Sequence, residues 1–361
     1  MLPDDGKPRT FVIGGSAAYG FPYAWDQAFS VLLEKQLRAD GIDSHVYNCG
    51  FPGKSSAFFV NLVPILVNQY KADTLIIFSG NNEWIWWVMP QQEHFGESRL
   101  RLWRSLSRSR AIAAVQYWII RSTVKNQDAI RHNQERWHIH HEISGYQYAL
   151  EYPNEIQTTY DPTTWPATQQ RFLDQYEKNL RQMVDYARSK NVRVIMLTIP
   201  FNYRISPAWK HPQPMAIDSS KQEKMTQLLE AASLLIDTEN YDEALTTTQQ
   251  AIAIDPLAPL AYYLQGVCLE KLSRPLEAEK AYAACREHMV GDFGSLLSIN
   301  QRITEVASST GAQLLDVKKL FDDHQHAQGR YFNDLLIDDD CHPTPLGHRL
   351  IADELAKLMP R

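Results

Sequence analysis

A doubly wound, parallel α/β sheet is the fold class the sequence predicts, and three observations predict it. Five short β-branched or apolar runs read as buried parallel strands, at residues 10–13, 45–48, 74–78, 193–198 and 313–317. Amphipathic helical stretches follow or separate them, at 25–39, 55–69, 175–189, 299–309 and 346–359. Turns bearing glycine close the first three strands, at 14–16, 50–53 and 80–83. In open α/β sheets the carboxyl ends of the strands are where chemistry collects. The expected architecture is three layers, α/β/α, around a five-stranded parallel sheet of flavodoxin-like kind.

Taken in order, the first run, Phe11-Val12-Ile13, enters a Gly14-Gly15-Ser16 turn. A serine on a tight strand-to-helix turn is a candidate nucleophile. The second run ends in Asn48-x-Gly50-x-x-Gly53 and the third in Gly80-Asn81-Asn82-Glu83. After the fifth, Asp339-Asp340-Cys341-His342-Pro343 sets a carboxylate three residues before a histidine, just ahead of the terminal helix. Histidine with aspartate is what a serine hydroxyl needs in order to lose its proton. Alone, Ser16 reads equally as a helix N-cap and His342 as a surface histidine. Their joint presence favours catalysis.

Two segments stand outside the alternation. Residues 84–166 are rich in Trp, Arg and His and read as a helical or irregular insertion, a lid or pocket wall. Residues 222–290 repeat themselves: a shift of 34 superposes Ala232 on Gly266, Leu235 on Leu269, Ala244 on Ala278 and Ala251 on Cys285. Small residues there let antiparallel helices pack closely, and this is the period of the tetratricopeptide repeat. The sheet would then be assembled from residues 1–83, 167–221 and 291–361, interrupted by the insertion and by two all-α, repeat-like hairpins.

Composition narrows the function classes. The 361 residues are 44% apolar and 22% charged, as in ordinary globular proteins, and a formal charge of −6 gives no reason to expect nucleic-acid binding. Cys49, Cys268, Cys285 and Cys341 are scattered without a CxxC pair and are expected as reduced thiols. No stretch approaches a membrane span, and no signal-peptide pattern opens the chain. The compartment stays open, cytoplasmic or anchored through a leading segment.

With the four motifs in order, the chain resembles the SGNH (GDSL) hydrolase family over about residues 9–83, 172–205 and 295–359, and within it bacterial members that carry tetratricopeptide repeats. The resemblance implies Ser16 as nucleophile, His342 as base and Asp339 as the acid that orients it. It implies an oxyanion hole from the N–H groups of Ser16 and Gly53 and the side-chain amide of Asn82. No cofactor and no metal are implied. Two positions depart from the family: Gly15 replaces the aspartate of Gly-Asp-Ser, and Glu83 replaces the aspartate after the asparagine. A glycine at 15 could loosen the serine turn.

Other candidates carry less. Trp84, Trp86 and Trp87 either wall an acyl or sugar pocket or form the buried start of the insertion. His138, His140 and His141 with Glu142 lack a completing cluster for zinc. Seven basic and no acidic residues between 99 and 125 make either a lipid-touching stretch or a solvated helix packed on the sheet. The expected activity is a serine esterase on a small-molecule or carbohydrate ester. The alternatives are an O-acyltransferase using the same groups, or an assembly module whose repeats recruit a protein partner.

Overall fold

The computed structural model describes residues 5–83, 165–204, 219–289, 296–337 and 339–360. Five parallel strands form one sheet in the order β2-β1-β3-β4-β5: β1 (Arg9–Gly14), β2 (His45–Gly50), β3 (Thr74–Phe78), β4 (Arg193–Leu197) and β5 (Gln313–Leu315). Val12 sits in register with Asn48 on one side and Ile76 on the other. All five residues of β3 are buried, as are Val12, Ile13, Val194, Ile195 and Leu197, so the central strands carry apolar side chains toward both faces. β2 and β5 are the edges and are only partly buried.

Right-handed crossovers decide the layers. The chain steps from β1 to β2 through α1 (Ser16–Tyr19) and α2 (Phe29–Ala39), then reverses across the sheet through α3 (Ser56–Asn68). Reversal of direction puts α2 and α3 on opposite faces. α4 (Trp165–Ser189) and the long helix at Leu296–Thr310 continue in the second direction, α4 packing on α3 and the long helix on α4, whereas the terminal helix at Pro345–Leu358 packs on α2. This is the expected three-layer α/β/α fold.

Among the described residues between β4 and Leu296, four helices follow one another: α5 (Ser219–Asp237), α6 (Tyr241–Ile254), α7 (Pro259–Lys271) and α8 (Pro275–His288), each packed on the next. Ala232, Ala244, Ala251, Gly266, Ala278 and Cys285, the small residues of the internal repeat, are all buried. A Cβ on Gly266 would come within 2.5 Å of the Tyr282 ring, so the glycine sets how closely α7 meets α8. The helices Leu296–Thr310, Val317–His326 and Pro345–Leu358 are α9, α10 and α11.

The structure differs from expectation in several local respects, the first being that the helix expected from residue 175 begins at Trp165. The last strand stops at Leu315, because Asp316 turns to cap α10 and accepts the Lys319 N–H at 3.0 Å. α10 itself was not expected. The helix expected from residue 25 begins at Phe29, after a short 3₁₀ turn at Trp25–Gln27. All four cysteines are free.

α11 carries a fully buried histidine in its first turn. His348 stacks on Phe29 of α2, ring centroids 5.9 Å apart, and neither ring nitrogen has a hydrogen-bond partner among the described residues. Burial pushes its pKa down to about 3, and the charge of nearby His342 adds to this. The unfolded chain binds that proton near pH 6.5 and the folded one does not, so stability is full above that pH and drains as pH falls toward 3. Between pH 7 and pH 5 this one group should cost about 2 kcal/mol. Urea melts of His348→Phe should show that much less acid destabilisation than wild type; equal pH dependence would contradict the assignment.

Candidate active site

The site is built where β1, β2 and β3 end. At the end of β1, a Cβ on Gly14 would fall 1.9 Å from the Phe78 carbonyl oxygen of β3, so only glycine lets the two strand ends approach this closely. The next residues turn into α1, whose first residue is Ser16, half-buried at the sheet edge. Asn48 braces this turn from β2: its amide donates to the carbonyls of Ala18 (3.2 Å) and Tyr19 (3.1 Å), and its oxygen accepts the Gly50 N–H at 2.9 Å.

His342 reaches Ser16 from the far end of the chain. Its Nε2 lies 2.7 Å from Ser16 Oγ, and its Nδ1 lies 2.5 Å from Asp339 Oδ2. An ionised carboxylate can only accept, so Nδ1 carries the proton and Nε2 presents its lone pair to the serine hydroxyl. The other oxygen of Asp339 accepts the backbone N–H groups of Cys341 (2.9 Å) and His342 (2.8 Å). Burial alone would raise the Asp339 pKa. The bond and charge of His342, with the two backbone donors, outweigh burial and hold it below the usual carboxylate value. Phe21 lays its ring against the imidazole, centroids 5.1 Å apart and near-perpendicular.

The Asp339–His342 loop is clamped at its base. Ile337 bridges Pro343, the Thr344 N–H donates to the Leu336 carbonyl at 2.8 Å, and the Thr344 hydroxyl caps α11 by accepting from Gly347. Of the neighbouring acids, Asp339 faces the imidazole, while Asp340 turns away to Arg286. Asp339, Cys341 and His342 also bring a carboxylate oxygen, a sulfur and a ring nitrogen within 4.8 Å of one another. The carboxylate and Nδ1 are already spent on each other, which leaves a poor cation cradle.

The two remaining turns lie against the serine turn at Gly15. Phe51–Lys54 is a Pro-Gly turn, closed by the Lys54 N–H to the Phe51 carbonyl at 3.2 Å, with Gly53 at φ +72° as its third residue requires. Gly53 is exposed and its Cβ position is open. Asn82, buried, donates one amide N–H to the Lys54 carbonyl at 3.1 Å. Its nitrogen would lie 2.4 Å from a Cβ on Gly15. The amide is thus wedged between the serine turn and the Gly53 turn, with a second N–H to spend. Gly15, expected to loosen the site, instead makes room for this donor.

Glu83 joins the turns from behind. Its buried carboxylate accepts the Ser56 N–H (2.8 Å) and hydroxyl (2.7 Å) at the start of α3, and Asn179 of α4 donates to the same hydroxyl at 2.9 Å. An anion at a helix N-terminus is favourably placed. Tyr176 of α4 donates to the Ser79 carbonyl at 2.5 Å. Tyr176, Asn179 and Phe21 carried no sequence signal, since each acts only through distant partners. Trp84, Trp86 and Trp87, the histidines at 138–141 and the basic stretch at 99–125 lie outside the described residues.

The chain matches no protein-family description and no curated protein. Among solved structures it is similar to a psychrotrophic esterase, EstA, from Pseudoalteromonas sp. (11% identity, TM-score 0.40, covering 97% of this chain and 96% of that one). It is likewise similar to Axe2, an acetylxylan esterase from Geobacillus stearothermophilus (13% identity, TM-score 0.41, covering 97% and 93%). A third is TesA (14% identity, TM-score 0.39, covering 98% of each chain). At such identities and TM-scores the chemistry must be read from the site itself.

Moving the Asn82 amide should weaken that chemistry. Gly15→Ala is expected to displace it and to slow phosphonylation of Ser16 by a fluorophosphonate by about 10²-fold, the usual cost of losing one oxyanion donor. Labelling at the wild-type rate would show that the amide has no such part.

Proposed function

We propose that the chain is a serine-dependent ester hydrolase of the SGNH (GDSL) type, an O-acyl or acetyl esterase working through an acyl-enzyme. The observation that carries this is the unbroken relay from Ser16 Oγ through His342 to Asp339, formed between residues 326 apart in sequence. A scaffold has no use for it.

In the proposed reaction, Ser16 Oγ attacks the ester carbonyl carbon as His342 Nε2 takes the hydroxyl proton. Asp339 holds the imidazole in the required tautomer and stabilises the imidazolium. The carbonyl oxygen becomes an oxyanion, met by the N–H groups of Ser16 and Gly53 and the free N–H of Asn82. Collapse of the tetrahedral intermediate breaks the C–O bond to the alcohol, which takes the proton back from His342. Water then repeats the sequence: His342 removes its proton, the hydroxide adds to the acyl carbon, and Ser16 leaves with the proton restored. An acceptor hydroxyl in place of that water would make the enzyme an O-acyltransferase.

The repeat-like helices α5–α8 are read as two tetratricopeptide-like hairpins that bring a protein partner or the substrate to the site. Their buried small residues at the 34-residue spacing support this, as do Leu234, Leu257 and Leu276, exposed on their surface. No described helix is long and apolar enough to cross a membrane.

The test uses a chromogenic acetyl ester and a fluorophosphonate probe. Wild type should release an initial burst of alcohol and be labelled at Ser16. Ser16→Ala should lose labelling and roughly 10⁴-fold or more of kcat. Equal, slow hydrolysis by both proteins, with no covalent adduct, would overturn the proposal.

A further inference from the structure

We infer that Arg286, on the last turn of α8 in the helical insertion, is a positioning residue for the Asp339–His342 loop, so that the insertion completes the hydrolytic site rather than merely adjoining it. The inference rests on the relay proposed above. Arg286 is 0% exposed, among the largest fully buried side chains of the chain. Its guanidinium forks onto one residue: Nη1 lies 3.3 Å from Asp340 Oδ1, and Nη2 donates to the Asp340 carbonyl oxygen at 3.1 Å. The Phe201 ring backs the guanidinium, 5.9 Å from its carbon.

The carbonyl contact matters most. The Asp340 C=O and the Cys341 N–H belong to a single planar peptide unit. Arg286 grips that plane by its oxygen, and Asp339 Oδ1 accepts from its nitrogen at 2.9 Å. A rotation of the plane that frees one bond breaks the other. Through this peptide the guanidinium fixes the direction of the Asp339 carboxylate, and the carboxylate fixes the ring of His342. Arg286 touches neither the imidazole nor the serine.

α8 is itself held to the loop region, so the grip has a firm base. Two turns before Arg286, on the same face of the helix, buried Glu279 accepts from the Phe332 N–H at 3.1 Å and meets His326 Nε2 at 3.0 Å. Burying an arginine is costly unless its donors are met; here Nη1 and Nη2 are met at Asp340, while Nε has no hydrogen-bond partner among the described residues. One pair at Asp340 and one at Glu279 therefore define a single seating of the insertion against the sequence leading to His342.

Two variants test the inference. Arg286→Lys keeps the charge but replaces the planar fork with a point donor. Arg286→Met/Asp340→Asn removes both charges together, which cores tolerate better than removing one. Nitrogen-15-labelled histidine reports the Nδ1–H proton of His342, whose downfield resonance reflects its bond to Asp339 whether or not the protein turns over. In folded variants that resonance should move upfield or broaden away. kcat should fall roughly 10–100-fold, with KM changed by less than about threefold. Cooperative melting with an unaltered resonance and unaltered kcat in either variant would overturn the inference. A shifted resonance with an inactive wild type would support it and count against the esterase reading alone.

Discussion

A neutral imidazole can hold a proton on one side and offer a lone pair on the other only while its ring is fixed from both directions. At His342 these directions are supplied by opposite ends of the chain: Asp339 from three residues away, Ser16 from the first strand. The bond to Asp339 is local in sequence, closed across three residues. The bond to Ser16 is not local, and it needs the sheet. Only when β1 is paired between β2 and β3 does its carboxyl end project the serine toward the loop before α11.

Close approach is the recurring means. Gly14 lets β1 and β3 converge, and Gly15 lets the Asn82 amide reach the serine turn. Each glycine gives up a side chain that could have been buried, and each gains a position no larger residue could hold. Carboxylates do the complementary work of tying turns to helices. Glu83 binds the asparagine turn to α3, and Asp316 caps α10 while accepting the Thr198 hydroxyl at 2.8 Å from the end of β4. Glu83, the buried one of the two, is stable in the interior because the Ser56 N–H and hydroxyl both donate to it.

The layering was legible in the sequence because it follows from periodicity and crossover handedness, both local in origin. The hydrophobic runs at 10–13 and 74–78 lie within observed strands with little change. The run at 313–317 misled at its end, since Val317 is β-branched yet opens a helix that Asp316 caps. Among the consecutive acids Asp338, Asp339 and Asp340, only the spacing of the resembled family pointed to Asp339, and the structure turns that residue to the histidine. Gly15 and Glu83 could be seen only as departures. What each does depends on Asn82 and Ser56, residues that no local pattern connects to them. Arg286 lay in a repeat whose own logic explained its small neighbours but gave no reason for a buried cation.

Topology explains why an inserted helical array can reach the site at all. Connections leaving the carboxyl ends of parallel strands emerge on the edge that carries the chemistry. The array begins after β4 and returns through α9 to β5, so both its ends are tied near that edge. The loop before α11 rises from the same edge, after α10. An insertion between β1 and β2 would have emerged beside the serine, on the far side of β3 and β4 from β5. Placed after β4, its last helix is one strand away from the segment that leads to His342. A single arginine side chain then spans the gap, and packing of the repeats becomes coupled to the geometry of the imidazole.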